Sequence, residues 1–145
     1  SEYSGRIYNL DYSTLRSVQS EFEALMIRID QETEEAVRIF LSLIANRFDV
    51  VDAILYGSRA RGTHRPESDA DLAVLLRGEH QRFLSTKLDM ADFAFDVMLE
   101  TNIRISPLPV WLDEWERPED YSNPALLHNI RREGVRLRTT YNRAG

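Results

Sequence analysis

The residues best suited to chemistry lie in one segment, Gly57-Ser58-Arg59-Ala60-Arg61-Gly62-Thr63-His64-Arg65-Pro66-Glu67-Ser68-Asp69-Ala70-Asp71. Gly57 can turn the backbone tightly and let it approach a phosphate closely. Ser58 supplies a hydroxyl at the start of a helical turn whose N–H groups suit anionic oxygens. Asp69 and Asp71 stand two apart in a strand pattern, so both carboxylates share one face. Two carboxylates there form a hard, oxygen-only site suited to Mg²⁺. A cation so held would bridge triphosphate oxygens and stabilise the charge of an in-line displacement. Arg59, Arg61 and Arg65 are placed to neutralise phosphate. Gly-Ser after a strand is common, and acidic pairs often just cap loops. Specificity comes from the combination: an apolar strand runs into Gly-Ser, and the acidic pair opens a second apolar strand.

The flanking elements must position these groups. Val50 to Tyr56 reads as a buried strand ending at Gly57, and Ala70 to Leu76 as a second strand. The stretch Gly57 to Gly62 reads as a turn with a helical turn inside it, and Thr63 to Ser68, with Pro66, as a loop. Before them, Leu15, Val18, Phe22, Leu25, Met26 and Ile29 recur at three- and four-residue steps, predicting a helix from about Asp11, capped by Asp11 or Ser13. A second helix is predicted over Gln31 to Arg47, with Asp30 or Thr33 as its cap; one long helix broken near Asp30 is the alternative. After them, Gln81 to Thr101 predicts a helix with Leu84, Leu88, Ala91, Phe95, Met98 and Leu99 on its inner face. Ile103 to Trp111 predicts a third strand, interrupted by Pro107 and Pro109, which belong at a sheet edge or a bulge. Asn123 and Pro124 open a last helix, Gly134 lies past its end, and Val135 to Thr139 suggests a final strand. The order implies an α/β (α+β) fold, a small mixed sheet covered by helices. The expectation is one domain over residues 1–145, with N-terminal helices at 11–47 and a core at 50–139.

Composition narrows the function classes. The 145 residues are 43% hydrophobic and contain no cysteine, which excludes disulfides and thiolate metal sites and suits a cytoplasmic setting. His64, His80 and His128 lack zinc-like spacing. A net charge of −6 makes nonspecific nucleic-acid binding unfavourable, because phosphate neutralisation needs clustered cations. No apolar run approaches the roughly 18 residues of a membrane span, and no signal peptide is expected at this N-terminus.

The central segment resembles the DNA polymerase beta-type nucleotidyltransferase superfamily. It is most similar to its minimal nucleotidyltransferase (MNT) branch, through Gly57-Ser58-Arg59-Ala60-Arg61-Gly62 and Ser68-Asp69-Ala70-Asp71-Leu72. The likeness is close over residues 51–76 and looser to about residue 139. It implies a polymerase-beta palm, Mg²⁺ or Mn²⁺ on Asp69 and Asp71, and a nucleoside triphosphate, ATP above others, held by Gly57, Ser58, Arg61 and Arg65. It also implies transfer of a nucleoside monophosphate to a protein or small-molecule hydroxyl. Some bacterial members are antitoxins that add AMP to a HEPN-type toxin, which is therefore the expected protein partner.

The family has a third carboxylate on the next strand, acting as base. Here that strand reads Ile103-Arg104-Ile105-Ser106-Pro107. A serine at position 106 cannot serve as a carboxylate base. Asp89, Asp92, Asp96 and Glu100 form a helical stripe that reads first as a solvated face; Asp96 and Glu100 are the substitutes to test. The alternative reading is a binding module of the same fold that neutralises a toxin by contact. A nucleic-acid polymerase or tRNA-modifying enzyme does not suit this size and charge. Trp111, Trp115 and Tyr121 read as corner packing. Arg131, Arg132, Arg136 and Arg138 read equally as a solvated helix end or a partner site.

Overall fold

Residues 29–137 are described by a computed structural model. Val50–Tyr56 forms β1 and Ala70–Leu76 forms β2. Their apolar runs suit strands covered on both faces. They pair antiparallel, with Tyr56 opposite Asp71. β3, Ile105–Trp111, runs parallel to β2, and β4, Val135–Arg136, pairs antiparallel with β1. The strand order is β3-β2-β1-β4, so β3 is an edge. Pro107 and Pro109 are two apart, so both missing N–H donors fall on the same side of β3, where no strand follows.

Side-chain alternation gives the sheet two covered faces. Ala53, Leu55, Leu72 and Val74 pack toward α1, Gln31–Ile44, and α3, Phe83–Thr101. Asp30 caps α1 by accepting a hydrogen bond from the Thr33 amide at 2.9 Å. The intervening residues Ile54, Ala73, Leu75, Leu108 and Val110 join Trp115, Tyr121, Leu127 and Ile130 on the other face. Two further helices supply that layer, α4, Leu112–Glu116, and α5, Pro124–Glu133; one turn, Ser58–Arg61, is α2. Asn123 caps α5 through the Leu126 amide, as its sequence implies. Gly134 follows because a Cβ there would overlap Ile54 Cγ2 and the Ile130 carbonyl.

Some expectations are corrected. α1 stops at Ile44, short of Arg47, and β3 begins at Ile105, because Ile103 and Arg104 belong to the turn that leaves α3. The larger difference is the rotation of α3. Thr86, Met90, Ala94 and Val97 face inward, whereas Leu84, Leu88, Phe95 and Leu99 are 65%, 58%, 54% and 70% exposed. Ala91 is also exposed. The helix has two apolar stripes, and the one containing Thr86 and Ala94 lets it approach β3 and α1 closely. The expected helix over residues 11–28 and any strand beyond residue 137 lie outside the described residues. Among the described residues, no helix is long and apolar enough to cross a membrane.

Candidate active site

The site forms where β1 ends and β2 begins. Gly57 leaves β1 with φ of 77°, a conformation that L side chains rarely adopt. A Cβ on Gly57 would overlap Asp71 Oδ2, so the turn passes directly against that carboxylate. The Ala60 and Arg61 amides both donate to the Gly57 carbonyl at 3.1 Å, closing α2. Ser58 and Arg59 are its first residues, and the first amides of a helix have no intrahelical acceptor. Gly62, left-handed with φ of 78°, ends the turn.

The loop from Thr63 to Ser68 is held from below by Arg59. This guanidinium is only 2% exposed. It donates to the carbonyls of Ser68 at 2.9 Å and Pro66 at 3.0 Å, and to Thr33 Oγ1 at 2.7 Å. Arg59 is therefore a loop clamp and is not available to phosphate, contrary to the sequence expectation. His64 Nε2 lies 2.8 Å from Asp30 Oδ2, tying the same loop to the start of α1. Burial pushes the Asp30 carboxyl upward, but hydrogen bonds from Thr33 and His64 outweigh it and hold the group below the usual carboxylate range. The Arg65 amide donates to Ser68 Oγ at 2.9 Å, while its side chain is exposed.

Asp69 sits one residue before β2, where the Ala70 amide donates to the Arg104 carbonyl at 2.8 Å. The Asp71 carboxyl is pushed up, first by burial and then by the neighbouring Asp69 charge, with Arg61 opposing. Asp69, Asp71 and Arg61 are thus brought together electrostatically. Arg61 Nη1 is also 3.6 Å from Glu133 Oε1. In the parallel register, Ser106 lies level with Asp71. Alternation puts both on the face where Ala73, Leu75, Leu108 and Val110 pack.

Sequence reasoning missed Tyr56. It ends β1 opposite Asp71, and its phenol is pushed far upward by burial, then by the charges of Asp71 and Tyr121. Arg104, with Nη1 4.0 Å from Asp69 Oδ1, is a neighbour that the turn between α3 and β3 places beside Asp69. A shallow cleft of about 320 Å³ beside Asp69 is lined by Glu67, Ser68, Met98, Asn102 and Arg104. Asp96 and Glu100 are exposed and do not line it. Arg131 is committed to Trp115, lying 4.2 Å over its ring, and Arg136 to Asp52 at 3.5 Å. A larger cleft of about 610 Å³ lies at the other ends of β2 and β3, against Leu76 and Trp111, away from the acidic pair.

The residues fit a divalent cation. Two oxygen-donor carboxylates lie close enough for one to disfavour ionisation of the other, a cost that a bound cation would reverse. No third His, Cys, Asp or Glu joins them in a metal-type cluster among the described residues.

A strand–glycine turn–acidic strand built in this way defines a polymerase-beta-like nucleotidyltransferase site. The nucleotidyltransferase domain family model matches residues 35–138, and the chain belongs to that family. No curated protein matches the chain. A solved structure from Sulfolobus solfataricus, provisionally described as a nucleotidyltransferase, aligns at 20% identity with a TM-score of 0.41, over 58% of this chain and 71% of that one.

Proposed function

We propose that the protein binds a nucleoside triphosphate, ATP in the first instance, with Mg²⁺ or Mn²⁺, and transfers its nucleoside monophosphate slowly to a hydroxyl of a protein or small molecule. The observation that carries this reading is the apposition of the Gly57 turn and the Asp71 carboxylate. It puts a phosphate-approaching backbone and an oxygen-ligand site in one place. Asp69 and Asp71 would hold the cation, which would supply charge neutralisation at the phosphates. Gly57 and Ser58 would seat the β- and γ-phosphates, and Arg61 and Arg65, at the exposed rim, would neutralise them. Arg59 and His64 keep the loop in place beneath.

Ser106 supports the slow turnover. Level with Asp71 in the strand register, it is the residue that would take the place of the carboxylate base implied by the family resemblance. The same observation favours a second reading: a non-catalytic binding module of the same fold, such as an antitoxin that neutralises a HEPN-type toxin by contact. Incubating the protein with labelled ATP, Mg²⁺ or Mn²⁺ and candidate acceptors, then measuring intact masses, tests both. A nucleotide adduct on an acceptor supports transfer. Metal-dependent ATP binding without an adduct favours the contact reading, and no ATP binding overturns transfer.

A further inference from the structure

Two arginines approach the acidic pair from different elements. Arg61, on α2, eases the ionisation of Asp71 and is shared with Glu133, 3.6 Å away. Arg104, in the turn between α3 and β3, has Nη1 4.0 Å from Asp69 Oδ1. Among the described residues, Asp69 is the one carboxylate this close to Arg104.

The backbone fixes the side on which Arg104 stands. Asn102 ends α3 in the left-handed conformation with φ of 64°, and its amide donates to the Met98 carbonyl at 2.8 Å. The Ile103 amide donates to Thr101 Oγ1 at 3.2 Å, and the Arg104 carbonyl accepts from the Ala70 amide at 2.8 Å. Ile103 and Ile105 are both buried in the core between the sheet, α1 and α3. Extended residues alternate between faces, so Arg104 and Ser106 fall on the opposite face, beside Asp69 and Asp71. The acidic pair thus meets a guanidinium and a hydroxyl along the edge of β3.

That guanidinium has a physical consequence for a cation at the pair. Arginine stays protonated in proteins, so Arg104 cannot give up its charge as a lysine can. A divalent cation on Asp69 would face this like charge at close range. Arg104 has room to yield: it lines, with Asp69, Glu67 and Asn102, the cleft of about 320 Å³, and its side chain is 67% exposed.

We infer that Arg104 is a built-in competitor for the divalent cation, neutralising Asp69 in the metal-free protein and yielding it when the cation binds. The inference rests on the metal role given to Asp69 and Asp71 above. Arg104 is then a positioning residue that acts through Asp69. Its displacement is easier when an anion arrives with the metal, because the guanidinium regains a partner. The site therefore favours a metal–triphosphate complex over the bare ion.

The probe is Mn²⁺ alone, titrated into the full chain, with the free ion read by its electron paramagnetic resonance signal. Arg104→Gln should bind Mn²⁺ about two- to fivefold more tightly than wild type, the scale of an exposed ion pair. Arg104→Lys should stay near wild type. Arg77→Gln removes the same charge at the opposite end of β2, against the other cleft, and should leave Mn²⁺ affinity unchanged. The gain should vanish when Arg104→Gln is combined with Asp69→Asn. For Mn²⁺ complexed with α,β-methylene-ATP, followed by calorimetry, Arg104→Gln should give a smaller gain than for the bare ion.

Mn²⁺ binding that is lost on Asp69→Asn but unchanged or weakened by Arg104→Gln would overturn the inference and leave the metal site standing. An equal gain from Arg77→Gln, or a gain that persists without Asp69, would make the effect one of general charge and overturn it too. A gain for the complex as large as for the bare ion would overturn the selectivity. No Mn²⁺ binding by wild type or by Arg104→Gln would overturn both the inference and the metal role on which it rests.

Discussion

Ser106 stands level with Asp71 on the adjacent parallel strand. That register turns the replacement of a carboxylate into a quantitative question. General-base help is typically worth about 10² to 10⁴ in rate. The wild-type chain is expected to bind Mg-ATP and to transfer nucleotide weakly or undetectably. Ser106→Asp should raise transfer by one to several orders of magnitude on that scale, measured as adduct formed per hour. Robust wild-type transfer lost on Asp96→Asn or Glu100→Gln would instead give the base to α3. Robust transfer untouched by either substitution would contradict the role given to position 106.

Asp69→Asn with Asp71→Asn should abolish metal-dependent ATP binding while circular dichroism shows an intact fold. Asp71→Asn alone should do something less obvious. Its carboxyl titrates above the unfolded value of 3.8 because burial and then Asp69 disfavour the charge. Ionised Asp71 therefore destabilises the metal-free fold: stability falls as pH rises from 3.8 through the folded-state pKa and stays reduced at neutral pH. Removing the charge should raise the metal-free Tm at pH 7. Millimolar Mg²⁺ should then stabilise wild type and leave the variant unchanged. A lower Tm in the variant would refute the electrostatic account.

At Gly57 the structure changes the reason for an effect that the sequence also implies. Gly57→Val should eliminate ATP binding, because its side chain would displace Asp71 as well as fill the phosphate approach. With φ of 77° and ψ of −158°, the backbone lies in a region essentially confined to glycine, which adds strain of about 1–3 kcal/mol for another residue. Calorimetric titration of the folded variant with Mg-ATP is the check. Normal affinity would remove the turn from the binding site.

The three arginines of the segment should separate cleanly. Arg59→Met should cost about 2–4 kcal/mol in denaturant unfolding, since it strands the Pro66 and Ser68 carbonyls and Thr33. Arg61→Ala and Arg65→Ala, at exposed positions, should leave the unfolding midpoint nearly unchanged and weaken ATP binding. A destabilised Arg61 variant with normal ATP affinity would show that its pairing with Glu133 is the main role.

Acid sensitivity should trace partly to Asp30. Despite burial, its Thr33 and His64 hydrogen bonds lower its folded-state pKa below 3.8. Its contribution is thus complete above the unfolded value and is lost as pH falls through the folded one. Asp30→Asn keeps a capping side chain but cannot ionise. Thermal melts from pH 5 down to pH 2 should show a shallower loss of Tm in this variant; parallel curves would exclude Asp30 as a contributor.

The sequence by itself determined the parts whose cause is local. Continuous apolar runs make β1 and β2, Asn123-Pro124 starts α5, and Gly57-Ser58 is followed, after ten residues, by Asp69-Ala70-Asp71. Each is written in one short stretch of chain, so residue type and spacing alone reveal it. Tertiary structure decided which of α3's two apolar stripes meets the sheet, since that depends on how closely Thr86 and Ala94 let the helix approach β3 and α1. It also decided that Arg59 serves the loop rather than a phosphate, because its acceptors come from α1 and from the chain six to nine residues on. Strand register, finally, sets Ser106 beside Asp71 and Tyr56 opposite it. No spacing along the chain encodes those pairings, because they arise only when three separate strands hydrogen-bond in one sheet.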